Sequence, residues 1–150
     1  MAMTNKTVTV FGGSGFIGRH LVQRLAATDV IVRIAVRDTE GANYLRLMGG
    51  VGQIVPIATD IGDEYSVASA IDGADSVVNL VGLLYESGKQ NFERIHASGA
   101  AHVAAAASTA GVRKLVQLSA IGANPEASST YARTKATGEI NVKEIFPGAT

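Results

Sequence analysis

A doubly wound α/β fold, with helices covering both faces of a parallel sheet, is predicted by three observations on this 150-residue chain. Apolar, β-branched segments alternate with segments of helical periodicity from end to end. The strand-like segments are apolar almost throughout, as in strands buried on both faces, instead of alternating with polar residues. A glycine-rich turn carrying Gly12, Gly13, Gly15 and Gly18 joins the first strand to the first helix. The length fits one domain, and no internal repeat or linker divides it.

Each element has its own signal. TVTVF, 7–11, is β-branched and aromatic, which makes good strand material. Over 16–28, Phe16, Ile17, Leu21, Val22 and Leu25 recur at helical spacing. VIVRIAV, 30–36, is the second strand. Residues 41–48 form a short helix that Gly49 and Gly50 end. QIVPI, 53–57, is a third strand, and Pro56 argues against a central place because proline donates nothing to a ladder. Residues 63–71 are helical, with Asp63 as N-cap. SVVNLVG, 76–82, is the fourth strand, and 90–110 is a long helix. That helix contains the alanine-rich HASGAAHVAAAASTAGV, whose small side chains allow close approach to a sheet. KLVQLSA, 114–120, is the fifth strand, and 131–146 is a last helix stopped by Pro147 and Gly148. The closing residues 146–150 read as the lead-in to a further strand. Residues 1–150 are therefore expected to be the N-terminal part of a longer protein, followed by a smaller substrate or interface region.

Composition narrows the function classes. The chain is 47% hydrophobic and 17% charged, enough to bury a core. Thirteen basic and 13 acidic residues give a formal net charge of +0, which argues against nucleic acid or an anionic membrane as a bulk electrostatic partner. The absence of cysteine excludes a disulfide framework and a thiolate metal site. His20, His96 and His102 lack metal-ligand spacing and read as ordinary polar positions, so no metal is expected. The opening MAMTNKTVTV has no apolar leader stretch, and no run of 18 apolar residues spans a bilayer. A cytoplasmic protein, at most peripheral to a membrane, is expected.

The glycines gain meaning from their place between strand and helix. The early ones permit backbone angles closed to other residues. Gly15 leaves room for a diphosphate to approach, and Gly18 lets the helix pack on its neighbouring strand. With the intervening Ser14, Phe16 and Ile17, they form the expected diphosphate-binding set at a helix N-terminus. At the end of the second strand, where a carboxylate would accept from a ribose 2′-hydroxyl, stands Arg37. A guanidinium there suits a 2′-phosphate, so NADP(H) is favoured with NAD(H) as the alternative. Asp38 takes the acidic role if the register slips by one, a solvated strand-end charge is the lesser alternative for Arg37, and Arg19 is a second candidate phosphate partner. Asp60, with Ile61 beside it, reads either as acceptor for an adenine amino group or as a helix-start carboxylate. Val81 and Gly82, at the fourth strand's end, border a nicotinamide ribose or simply terminate a strand.

Tyr131 and Lys135 stand four apart on one helix face. An ammonium near a phenol lowers its pKa, and such a pair can do acid/base work on a carbonyl while the lysine binds ribose hydroxyls. A plain exposed helix face also accounts for the spacing.

Together, GGSGFIG, the Arg37 strand end, ATDIGD, NLVG, LVQLSA and YARTK occur in the order of the extended or atypical short-chain dehydrogenase/reductases, of the NAD-dependent epimerase/dehydratase type. The chain resembles that family over nearly all its length. VFGGSGFIGR, LMGGVGQIVPI, VVNLVGLLYE with NFERIH, and GVRKLVQLSAIGANPEASSTYARTKATGE resemble most closely the NADPH-binding, alpha-9-type accessory subunits of respiratory complex I and their bacterial relatives. The resemblance implies catalytic roles for Tyr131 and Lys135 and a hydroxyl at the fifth strand's end. Ser119 is the nearest hydroxyl there, but Ala120 aligns with the catalytic position, and Ser128 and Ser129 lie in the loop before Tyr131. A missing hydroxyl would remove about 2.7–4 kcal/mol of transition-state stabilisation. Three functions are implied. One is a NADPH-holding component of a NADH:quinone oxidoreductase, on the cytoplasmic or matrix face of its membrane. The others are an NAD(P)-dependent oxidoreductase or nucleotide-sugar epimerase, and a cofactor-state sensor.

Overall fold

The computed structural model describes residues 5–150; the first four, part of the segment read as carrying no leader, lie outside the described residues. Five strands, β1 (Thr7–Phe11), β2 (Ile31–Val36), β3 (Ile54–Ala58), β4 (Ser76–Asn79) and β5 (Lys114–Gln117), form one parallel sheet in the order β3-β2-β1-β4-β5. Pro56 thus sits on an edge strand, where its missing N–H is tolerated. The chain steps outward from β1 to β3, then crosses back to lay β4 on the other side of β1. The C-terminal ends of β1 and β4 flank the reversal, where a crevice opens in folds of this topology.

Alternate residues of the central strands feed two cores. Val8, Val10, Val32 and Ile34 pack with Val22 of α1 (Phe16–Ala26) and with Leu45. Phe11, Val77 and Leu115 pack on the opposite face with α3 (Glu64–Ile71), α4 (Gly99–Thr109) and α5 (Thr130–Ile145). Between β2 and β3 the expected helix over 41–48 is instead a single turn, α2 (Thr39–Ala42), running into a 3-10 segment at Asn43–Met48. Asp38 starts that turn early by accepting from Gly41 N–H at 2.9 Å. Among the described residues, no helix is long and apolar enough to cross a membrane.

Three further boundaries depart from the sequence reading. The fourth and fifth strands were expected to run to 82 and 120, yet pairing ends at Asn79 and Gln117. The cause is Asn79: its Oδ1 accepts from Val81 N–H at 3.1 Å and its Nδ2 donates to Gln117 Oε1 at 2.9 Å. Leu80 N–H still bonds the Phe11 carbonyl at 3.0 Å, but Val81 N–H is satisfied by the Asn79 side chain, and from there the backbone leaves the ladder. The long helix over 90–110 begins instead as a π turn, Glu93–Ser98, before α4. At the chain's end, Thr150 N–H donates to the Leu115 carbonyl and the Thr150 carbonyl accepts from Gln117 N–H, the bonds a parallel neighbour of β5 would make.

α5 lies against the π turn through Gly138. A Cβ there would run into the His96 carbonyl oxygen, a backbone atom that cannot step aside. Gly138→Ala is expected to destabilise the fold by about 1–3 kcal/mol through overpacking, measured as a lower urea midpoint at unchanged slope.

Candidate functional site

The turn after β1 is built from backbone. Gly12 has φ of +76°, in the left-handed region, and a Cβ on it would lie 3.3 Å from Leu80 C. A Cβ on Gly13 would sit 2.8 Å from Ile34 Cγ2. Gly18 packs on the turn itself and not on the neighbouring strand as its spacing had implied, since a Cβ would overlap the Gly12 oxygen and Gly13 Cα. Gly15 differs: its Cβ would meet only the Gly12 oxygen, at 3.3 Å, and its backbone angles suit any residue. It is the N-cap of α1, with no side-chain cap and no acidic residue in the first turn. The first amides of α1 thus face outward with the positive end of the helix dipole.

A cleft of about 480 Å³ opens over this turn. It brings together Gly12, Ser14, Gly15, Arg37, Asp60, Ile61, Val81 and Gly82 of the expected cofactor set. Gly13 and Gly18 lie beneath it and shape the turn. Phe16 and Ile17 do not line it; they border a separate hollow on α1. Arg19 also lies off the cleft, over the Phe16 ring at 5.3 Å.

On the β2–β3 side, Arg37 is exposed on the rim. Asp38, offered as the acidic alternative, uses Oδ1 to cap α2. Asp60 is not the helix-start carboxylate: Asp63 fills that role, accepting from Tyr65 and Ser66 N–H. Asp60 instead accepts from Gly62 N–H at 2.9 Å and pairs with Arg94 at 2.8 Å. The Arg94 guanidinium, chiefly by that hydrogen bond, holds the Asp60 carboxyl below its usual range, with Gly62 N–H and Arg37 adding to the effect. Arg94 lies 34 residues from its partner, which is why the sequence did not reveal it.

On the β4–β5 side, Gly82 is exposed where the chain leaves the ladder. Lys135 is buried and donates to the Leu118 carbonyl at 3.0 Å, and burial lowers its pKa. Tyr131 sets its ring edge-on to His96 at 5.2 Å and to Phe92 at 5.8 Å. Ser129 is the N-cap of α5, its hydroxyl accepting from Ala132 N–H, and the Ser128 backbone carbonyl accepts from Arg133. Ser119 Oγ is buried without a hydrogen-bond partner among the described residues. A buried hydroxyl left unpaired is costly and marks a place where a further partner belongs.

His96 departs from the reading as an ordinary polar position. It is buried, accepts from Leu83 N–H at 2.9 Å, and meets Thr134 Oγ1 at 3.0 Å. Burial first, then the Lys135 charge, push its pKa down to about 4. Among the described residues no cluster of His, Asp and Glu could hold a metal ion.

The cleft fits a nicotinamide dinucleotide. The cradle at Gly15 is one that a side chain would fill, and the crevice spans both sides of the strand-order reversal.

A family model described as NAD(P)H-binding matches residues 12–144. The chain is 35% identical over 144 residues to the mitochondrial NADH-ubiquinone oxidoreductase 40 kDa subunit of Neurospora crassa, covering 96% of this chain and 38% of that one. It is 30% identical over 142 residues to a ceramide reductase of Caulobacter vibrioides, covering 95% of this chain and 43% of that one. The chain thus spans about two-fifths of the length of these relatives. The solved structure of Pen from Bacillus thuringiensis superposes with a TM-score of 0.83 at 23% identity, over 100% of this chain and 50% of that one, and shares the fold.

The state of His96 predicts a pH response. The folded chain keeps the ring neutral to about pH 4, while the unfolded chain takes a proton near 6.5. The stability linked to the neutral ring is intact above about pH 6.5 and is lost as pH falls toward 4. The loss is expected to approach about 1.4 kcal/mol per pH unit. Thermal unfolding across this window should show a shallower pH slope in His96→Gln than in the wild type.

Proposed function

The chain belongs to the NAD(P)H-binding family, and from that membership we propose that it holds NADP(H) in preference to NAD(H), as an accessory component of a NADH:quinone oxidoreductase. The observation that carries this reading is the bare backbone cradle at Gly15, with Arg37 on the rim of the same cleft. In this reading the α1 amides hold the diphosphate, Arg37 meets the 2′-phosphate, Asp60 accepts from the adenine amino group, and Val81 and Gly82 border the nicotinamide ribose. Lys135 binds that ribose's hydroxyls. The likeness to the Neurospora subunit supports docking on the respiratory complex, peripheral to its membrane. We read 1–150 as the cofactor-binding part of a longer protein with a further interface or substrate region; the Thr150 bonds beside β5 support a sixth strand there.

A second reading, a reductase or epimerase, is favoured by the unpaired Ser119 hydroxyl, and it is supported by the likeness to the ceramide reductase. Bound nicotinamide would supply or accept a hydride. In this reading Tyr131 passes a proton to or from the substrate oxygen and Lys135 orients the ribose. Turnover of NADPH with an added carbonyl compound would favour this reading; copurification with respiratory-complex subunits and no turnover would favour the first.

Calorimetric titration tests the cofactor preference. NADPH is expected to bind at least tenfold tighter than NADH, a difference of about 1.4 kcal/mol. Arg37→Glu should abolish or invert the ratio. Tighter NADH binding by the wild type would overturn it.

A further inference from the structure

His96 lies between the expected nicotinamide wall of the cleft and the helix bearing Tyr131 and Lys135. We propose that His96 is a positioning residue, fixing the Val81–Leu83 backbone and the start of α5 at one separation so that the nicotinamide half of the cleft is preformed. The proposal rests on the reading of the cleft as a dinucleotide site.

The partners dictate the ring's tautomer. Leu83 N–H can only donate, so Nε2, 2.9 Å away, carries no proton. Nδ1 then carries it and donates to Thr134 Oγ1 at 3.0 Å. Thr134 keeps its own proton for the carbonyl of Thr130 at 3.0 Å or of Tyr131 at 3.1 Å. One neutral imidazole thus links the segment after β4 to Thr134, near the start of α5, and both of its nitrogens are used. With 2% of its surface exposed, water offers no substitute for either bond.

The ring also confines the residues around it. Phe92 stacks on it at 5.3 Å with a 16° tilt, and Tyr131 stands edge-on at 88°. The Tyr131 ring is therefore held by Phe92 and His96 together. A Cβ built on Gly82 would lie 3.8 Å from His96 Nε2 and 4.0 Å from Lys135 Nζ. Gly82 is thus the strip of bare backbone in front of the imidazole and the ammonium. A shift of the Leu83 segment would change the space above Gly82, Lys135 and Tyr131 together, while the Arg37 and Asp60 side has no bond to His96. The charged and titratable groups facing the ring are Lys135 and Tyr131 of α5 and Glu86 of the segment after β4. A proton added at Nε2 would confront the Leu83 N–H and the Lys135 ammonium, so the strut works only in its neutral form.

The test compares whole cofactors with their adenosine halves. Calorimetric titrations with NADP+ and NAD+, and with adenosine 2′,5′-bisphosphate and ADP, would be run on the wild type and variants at pH 7.5. His96→Leu is expected to lose tenfold or more affinity for the dinucleotide and to stay within twofold for its adenosine half. His96→Gln, whose amide oxygen can still accept from Leu83 N–H, should recover to within threefold of wild type. If the leucine variant does not fold, Thr134→Val, which removes the other anchor, should show the same split. Equal losses on both ligands, or no loss on the dinucleotide, would overturn the positioning role. Failure of the wild type to bind either dinucleotide would instead overturn the cofactor reading beneath it.

Discussion

Direct access to the first amides of α1, at the carboxyl end of the central strand, is the constraint from which the rest of the cleft follows. Side chains are excluded from the turn for separate reasons. Gly12 needs a left-handed backbone, Gly13 lies against Ile34, and Gly18 lies against the turn's own carbonyl and Cα. Gly15 has ordinary angles, and a Cβ there would meet a single neighbour, the Gly12 oxygen at 3.3 Å. Packing is thus the weaker reason for a glycine at this position, and approach from outside the stronger one. A diphosphate placed there meets N–H donors that no internal group satisfies and a dipole of matching sign.

The two walls of the cleft are held by one short segment. The π turn at Glu93–Ser98 sends Arg94 to Asp60 and Gly62 on one side and His96 to Leu83 on the other. Two residues, two apart in sequence, reach opposite halves of the crevice. A π turn widens the helix locally and is often found at functional sites. The ion pair is partly exposed, so its contribution to stability is small, about 1 kcal/mol or less. Its value is in holding the Asp60 carboxylate charged and oriented. The buried imidazole is the stronger tie, since neither of its hydrogen bonds can be replaced by water.

The sheet was legible because its signals are local. Five apolar runs, the edge placement of Pro56, the cap at Asp63 and the glycine turn all rest on residues within a few positions of one another. The strand ends were not, because Asn79 releases the backbone through a side chain bonded both to Val81 and, 38 residues away, to Gln117. The same limit hid the partner of Asp60 and the role of His96. Each is defined by partners that no spacing rule connects: Arg94 for the first, Leu83 and Thr134 for the second. The glycines and Arg37 could be chosen by type and order; Tyr131 and Lys135, chosen in the same way, are not among the residues that line the cleft over the glycine turn. Whether a side chain faces the cleft, as Arg37 does and Phe16 and Ile17 do not, depended on the fold.

Gly15→Asp separates the cradle's chemistry from its stability. Aspartate is a preferred N-cap, the backbone angles at Gly15 accept it, and its Cβ would meet only the Gly12 oxygen, at 3.3 Å, so the cap offsets a slight crowding and the thermal midpoint should stay close to that of the wild type. The same carboxylate would stand where the diphosphate must rest. Titration with NADPH is expected to show at least a hundredfold weaker binding in a variant as stable as the wild type. Unchanged affinity in that variant would contradict the account, because the dinucleotide would then rest somewhere other than on the amides of α1.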